Sequence, residues 1–279
     1  MRNLIILISL LFMVSCSTDT MNEDYTITET KQITFNCVTQ FTLDSYETRA
    51  TDDISLMDLY VLDYNFQTKE LLQTKYFLTS GLRVQLSLKD NVKHEIYFIM
   101  SGGESPILET TQNRIKWNKV GDTFRGLCVI DMSNNTNSYS VTMQRMTAKL
   151  VINVMDNPSE TIERFTITPD KWFNGLSYNT GLSAYESNNT MSADITYNEE
   201  GNLSCECYTI SNNIEWNTNI TIKAYGKNNK LLGEASLVNA PFSRNKVTTY
   251  SGKLFSNSTS KTLFITTDYN WNGINSKTW

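Results

Sequence analysis

The stretch Ile33-Thr34-Phe35-Asn36-Cys37-Val38-Thr39-Gln40-Phe41-Thr42-Leu43 is followed by a polar segment, Asp44 to Asp53, and then by Ile54-Ser55-Leu56-Met57-Asp58-Leu59-Tyr60-Val61-Leu62-Asp63-Tyr64. In the first run Ile33, Phe35 and Cys37 alternate with Thr34 and Asn36, the period of a half-buried strand. The run from Ile54 to Tyr64 is mostly apolar, as a strand buried on both faces would be. The polar linker between them carries one arginine, Arg49, near its middle. Two strands of different burial, parted by a polar linker, set the reading of the rest.

Outward from that pair, the same short periods recur. Strands are predicted at Leu71–Leu78, Leu82–Leu88, Glu95–Met100, Leu127–Met132, Ser138–Met143 and Lys149–Val154, with a short helix around Leu108–Arg114. Asp156-Asn157-Pro158-Ser159 then breaks the chain, and strands resume at Ile162–Thr168. Further candidates are Leu176–Tyr178, Met191–Tyr197, Leu203–Ile210, Asn219–Tyr225, Leu231–Leu237, Val247–Phe255 and Thr262–Thr267. Short strands, frequent Asn- and Gly-containing turns and no long amphipathic helix predict an all-β chain. The expected architecture is two tandem β-sandwiches of transthyretin-like, Greek-key type, over residues 31–155 and 156–279.

Composition agrees with a globular β protein. Of the 279 residues, 40% are hydrophobic and 19% charged, which fits neither a disordered chain nor an integral membrane protein. The net charge of −5 comes with scattered basic residues and no basic stripe, so nucleic acid is not an expected partner. Residues 1–15 read as an export signal: Arg2 supplies the positive end, and Leu4 to Val14 is apolar but too short to span a bilayer. The signal ends in Met13-Val14-Ser15-Cys16, which resembles a bacterial lipobox, with Cys16 as the lipidated first residue of the mature chain. Residues 16–30, polar and acidic, read as the tether.

No constellation calls for catalysis, a cofactor or a metal. His94, the chain's one histidine, sits in a polar lead-in to a strand and reads as a surface or turn residue. Ser101-Gly102-Gly103-Glu104-Ser105 lacks the lysine of a phosphate loop and reads as a turn. Glu199 and Glu200 belong to a solvated turn. Cys205 and Cys207 would share a strand face, but no second ligand pair accompanies them. Buried free thiols, or one disulfide among Cys37, Cys128, Cys205 and Cys207, are the readings in an exported protein.

Taken together, these features resemble the fimbrillins, lipoprotein subunits of type V pili. The resemblance rests on Cys16 in its lipobox, the acidic tether, the strand at 33–43, and the linker Tyr46-Glu47-Thr48-Arg49-Ala50-Thr51. It also rests on Leu59-Tyr60-Val61-Leu62-Asp63-Tyr64, Gln144 to Ile152, Ser243 to Tyr250, Gly252 to Phe255, and the tail Trp271 to Trp279. The resemblance implies export to the outer membrane and lipid (palmitate) anchoring at Cys16. It implies cleavage between Arg49 and Ala50 by an arginine-specific protease, and polymerisation with other fimbrial subunits. The vacated groove would be the place of Ile33, Phe35, Cys37, Phe41 and Leu43, and the donor strand would supply Leu263, Ile265, Tyr269 and Trp271. Two alternatives stand beside this reading. One is an uncleaved pilus anchor; the other is a surface glycan-binding lipoprotein using Trp172, Phe173, Tyr178 and Tyr185 as an exposed aromatic patch.

Overall fold

The computed structural model describes residues 29–39, 57–78, 82–197, 202–212, 215–256 and 263–268. The first half contributes β1 (Thr30–Thr39), β2 (Asp58–Asn65), β3 (Leu71–Leu78), β4 (Arg83–Lys89) and β5 (Lys93–Ser101). After them come β6 (Ile107–Glu109), β7 (Arg114–Lys116), β8 (Thr123–Asp131) and β9 (Ser138–Arg145). The order in the main sheet is β3-β2-β5-β8-β9-β1-β4. The sheet doubles over where β8 and β9 meet, because they share only the pairs Phe124↔Arg145 and Arg125↔Gln144. Gly126 permits this close approach: a Cβ there would lie 2.6 Å from both Met143 Sδ and Val141 Cγ1.

The doubled sheet encloses a core of alternate residues, including Ile33, Phe35, Cys37, Leu59, Val61, Val84, Leu86, Phe98 and Phe124. The Phe35 and Phe98 ring centroids are 5.2 Å apart, one from each layer. In β4 the inward residues Val84, Leu86 and Leu88 alternate with exposed neighbours, as the sequence predicts. From Leu59 to Tyr64, β2 is buried on both faces. Its odd positions face this core, while Tyr60, Leu62 and Tyr64 join a separate cluster with Tyr97, Trp117, Leu176 and Tyr178.

The second half contributes β10 (Thr147–Val154), β11 (Arg164–Pro169), β12 (Trp172–Ser177), β13 (Leu182–Ser187), β14 (Met191–Ala193) and β15 (Ile195–Tyr197). β16 (Leu203–Ile210), β17 (Trp216–Tyr225), β18 (Leu231–Phe242), β19 (Val247–Gly252) and β20 (Leu263–Asp268) complete the set. They form two sheets, β15-β16-β10-β19-β20 and β14-β11-β17-β18, around a core that includes Leu150, Ile152, Phe165, Ile222, Phe242 and Tyr250. Among the described residues each half contains one parallel pair, β1 with β9 and β10 with β19. The architecture is all-β, in agreement with the sequence.

Two local expectations need correction. The helix around Leu108–Arg114 is a hairpin: β6, a 3-10 turn at Thr110–Gln112, and β7. Asn113, at φ 54°, takes the left-handed conformation that ends the turn. The hairpin exists because β7 pairs with β12, forming the small sheet β13-β12-β7-β6 from strands on both sides of residue 156.

His94 is the second correction, for it is fully buried. β5 starts two residues before its apolar run, which turns His94 inward on the same face as Ile96 and Phe98. There its Nδ1 meets Asp63 Oδ1 at 2.7 Å and its Nε2 meets the Lys89 carbonyl at 2.9 Å. Asp63 Oδ2 accepts from Gln73 Nε2 at 2.9 Å. Burial alone would depress the His94 pKa, but the Asp63 hydrogen bond, the Lys89 carbonyl and the Asp63 charge together raise it above the ordinary value. With an acceptor facing each ring nitrogen, the doubly protonated imidazolium satisfies both contacts.

A raised folded pKa favours the proton-bound native state. Its stabilisation is complete below about pH 6.5, the ordinary histidine value, and is lost as pH rises through the folded value. Thermal melts from pH 6 upward should therefore show a falling Tm in the wild type and a flatter profile in His94→Gln. Asp63→Asn, which leaves the imidazolium uncompensated, should cost about 3–5 kcal/mol at pH 6 by urea denaturation.

Candidate functional site

β1 lies next to the edge strand of its sheet, between β9 and β4, and holds those two neighbours apart. It pairs antiparallel with β4 from Thr30↔Lys89 to Asn36↔Arg83, and parallel with β9 from Thr34↔Ser138 to Thr39↔Met143. The Cys37 N–H continues the first ladder by donating to the Leu82 carbonyl at 2.6 Å. On the far side β4 has no strand neighbour among the described residues, so β1 is its link to the sheet. Taking β1 away would open a slot one strand wide, with an unpaired edge on each wall.

The floor of that slot is apolar. Ile33, Phe35 and Cys37 are 1%, 0% and 2% exposed, so the structure brings these three predicted residues together on one inward face. Phe35 packs on Phe98 at 5.2 Å and on Tyr139 at 6.1 Å between centroids. Burying Ile33 and Phe35 stabilises the docked strand by about 3–6 kcal/mol. Phe41 and Leu43, predicted for the same face, lie outside the described residues, as do Cys16, Arg49 and Ala50.

At the other end of the chain, β20 forms the edge of its sheet. Among the described residues it pairs with β19 alone, antiparallel from Gly252↔Leu263 to Val247↔Asp268, placing Leu263 and Ile265 in register with Gly252 and Tyr250. An edge strand is held by one ladder, whereas β1 is held by two. Tyr269 and Trp271 lie outside the described residues.

Asp156 fixes the chain just ahead of this strand. Its Oδ1 accepts from the Leu254 N–H at 2.7 Å, and its Oδ2 accepts from Phe255 and Ser256 at 3.0 and 2.8 Å. One carboxylate thereby satisfies three successive backbone donors 98 to 100 residues away. Beside it the Met155 N–H donates to the Gly252 carbonyl at 2.8 Å. In the sequence Asp156 reads only as a break between strands. No local signal marks its long-range role, because the partners are backbone groups.

The aromatic patch expected for a glycan-binding surface is not exposed. Trp172 and Tyr178 are 2% and 0% exposed. The Trp172 indole N–H donates to the Tyr208 carbonyl at 3.1 Å, and its ring packs against Phe242. The Tyr178 hydroxyl is hydrogen-bonded to Tyr64 in the cluster that joins the halves, and burial raises its pKa, with the Tyr64 bond adding to the shift. Phe173 and Tyr185 are half-buried, with Lys171 over the Phe173 ring and Arg114 and Lys116 over Tyr185. These residues read as surface aromatics in the sequence, but β12 and the residue after it take Trp172 and Tyr178 into contacts with other elements.

A cleft of about 870 Å³ opens nearby, lined by Gly102, Lys119, Asn174, Asp194, Glu206 and Tyr208 among others. Lys119 and Asp194 form an ion pair across it. Cys207 also lines the cleft, but burial pushes its thiol up to about 12, which leaves it a poor nucleophile. Among the described residues no group of three His, Cys, Asp or Glu side chains is placed to hold a metal ion.

No protein-family model matches the sequence, and no curated protein matches it. Solved structures do share the fold. A candidate polysaccharide-binding protein from Bacteroides thetaiotaomicron aligns with a TM-score of 0.52 at 9% identity, covering 80% of this chain and 91% of its own. A candidate adhesin from Bacteroides ovatus aligns with a TM-score of 0.51 at 12% identity, covering 87% and 95%. The fimbrial anchor protein of Porphyromonas gingivalis aligns with a TM-score of 0.48 at 10% identity, covering 85% and 95%. At these identities the likeness is one of fold.

Two substitutions test the geometry of the site. Phe35→Ala should cost about 3–5 kcal/mol in urea denaturation, as loss of a fully buried aromatic side chain from a packed core does. Asp156→Ala strands three backbone donors and should cost about 1–3 kcal/mol. Hydrogen exchange should then accelerate at Leu254, Phe255 and Ser256 while β10 stays protected.

Proposed function

We propose that the chain is a structural and adhesive subunit of a cell-surface fimbrium, assembled by exchange of its first strand. The observation that carries this reading is the position of β1, inserted between β4 and β9 and followed by the segment that contains Arg49. The resemblance of the sequence to fimbrillins, and a fold shared with candidate adhesins, support the same reading. On this reading residues 31–155 and 156–279 are two sandwich units, exported with a lipid on Cys16 and trimmed between Arg49 and Ala50. Trimming leaves an apolar slot that must be refilled or it will aggregate.

The donor on this reading is the C-terminal strand of a neighbouring subunit, with Leu263, Ile265, Tyr269 and Trp271 as its apolar residues. Main-chain hydrogen bonds to both walls would supply affinity, and alternate side chains entering the places of Ile33, Phe35 and Cys37 would supply register. An edge strand such as β20 gives up one ladder to gain two.

Digestion of the full chain with an arginine-specific protease tests it. Cleavage at Arg49 should come first and convert the monomer into growing polymers, seen by size-exclusion chromatography and negative-stain microscopy, while Arg49→Gln stays monomeric. Release of residues 1–49 without any assembly would sink strand exchange. Resistance of Arg49 in a lipidated, membrane-bound chain would point to an uncleaved anchor instead.

A further inference from the structure

The cleft of about 870 Å³ takes its lining from both halves of the chain. The first half contributes Gly102, Gly103 and the run Asn118 to Gly121, and the second contributes Trp172, Asn174, Asp194, Glu206 and Tyr208 among others. Sites that enclose a small ligand have volumes of about 300–1,000 Å³. The first-half side is fixed. The Gly102 N–H donates to the Asp122 carbonyl at 2.9 Å, and a Cβ on Gly103 would lie 2.8 Å from the Lys119 carbonyl oxygen, so glycine is what lets the two loops meet. On the other side the chain passes from one sheet to another. Met191–Ala193 pairs with β11, Ile195–Tyr197 pairs with β16, and Asp194 sits at the switch, where it meets Lys119.

The lining offers hydrogen bonds without a field that would attract an anion. Its one lysine, Lys119, stands among three carboxylates, those of Glu104, Asp194 and Glu206. Asp194 is paired with Lys119, and Glu206 with Lys149 at 2.7 Å. The excess is negative, which turns away phosphate, sulfate and carboxylate ligands. Uncharged amides and hydroxyls, Asn118, Asn174, Asn189 and Ser192 among them, make up the polar remainder. Asn174 Oδ1 is buried and has no hydrogen-bond donor among the described residues. Its backbone is pinned, since its carbonyl accepts from the Trp117 N–H at 2.9 Å. A buried acceptor left unmatched is uncommon in folded proteins, and a ligand hydroxyl would match it. Trp172, 2% exposed, and half-buried Tyr208 add ring surface to the lining.

We propose that this cleft binds a short neutral oligosaccharide, whose hydroxyls pair with Asn174 and with the Lys119–Asp194 couple and whose C–H faces rest on Tyr208. A polyhydroxylated ligand alternates donors, acceptors and apolar C–H faces, which is the mixture that this lining presents. An extended peptide fits less well. β14 and β15 are three residues each and belong to different sheets, so neither gives a peptide strand a continuous edge to pair with. The cleft stands without strand exchange; only its use in adhesion rests on the fimbrial reading.

The full, uncut chain is screened on an array of neutral, sialylated and sulfated glycans, and the best neutral binder is titrated by calorimetry. Neutral glycans should bind and the anionic ones should not. Asn174→Ala should weaken binding about tenfold while leaving Tm unchanged or higher, because it removes an acceptor that the fold leaves unmatched. Asn118→Trp, at an exposed position on the rim, should block binding without changing Tm. Absence of neutral binding, preference for anionic glycans, or wild-type affinity in both variants overturns the proposal. So does a peptide of residues 262–279 that binds in place of glycans and is blocked by Asn118→Trp, since the cleft would then be a subunit-docking site. Glycan binding by a chain that never polymerises after cutting at Arg49 leaves the site standing and removes the strand-exchange reading. Polymerisation without glycan binding does the reverse.

Discussion

The structure depends on one strand held between two others. Because β1 pairs with β4 on one side and β9 on the other, it closes a sheet that would otherwise end at β9. Its two paired registers overlap at Thr34, Phe35 and Asn36; earlier residues pair with β4 and later ones with β9, the Cys37 N–H also reaching the Leu82 carbonyl just before β4. That stagger makes β1 a diagonal stitch across the sheet. The side chains beneath it add the second constraint, since Ile33, Phe35 and Cys37 complete a core whose other side is supplied by β2, β5 and β8.

A different constraint joins the two halves. β2 and β5 are buried on both faces because their outer residues, Tyr60, Leu62, Tyr64, Tyr97 and Ile99, are covered by Trp117, Leu176 and Tyr178. That cover is carried by β7 and β12, paired through Gly175↔Lys116 and Leu176↔Ile115. The Arg125 side chain ties the same region by donating to the Tyr178 and Asn179 carbonyls. Arg145 does so again, gripping Asp122 through three hydrogen bonds and reaching Asn245 at 3.1 Å. Packed aromatics and hydrogen-bonded guanidinium groups thus connect the two halves.

Much of this was legible from local pattern. Alternation in Arg83–Lys89 and in Trp216–Tyr225 is repeated in their burial, because one face of each strand meets a core and the other meets water. The apolar run before Tyr64 announced burial on both faces without saying what covered the second one. Other features had no local signature. The hairpin at Ile107–Lys116 looked helical because its apolar spacing is ambiguous over so short a span, and pairing with β12 decided it. His94 looked solvated because its sequence neighbours are polar, yet strand alternation points it at Asp63. Trp172 and Tyr178 looked available for a ligand, and neighbours distant in sequence enclosed them.

By itself, then, the sequence determined the all-β class, the positions of most strands, and the succession of a half-buried first strand and a doubly buried second. These follow from side-chain period, which each strand carries within itself. Only the tertiary structure decided that the first strand is inserted between β9 and β4, and that Asp156 anchors the chain before β20. Strand order and cross-sheet contact depend on residues about a hundred positions apart, and no local period encodes which distant neighbour a strand will choose.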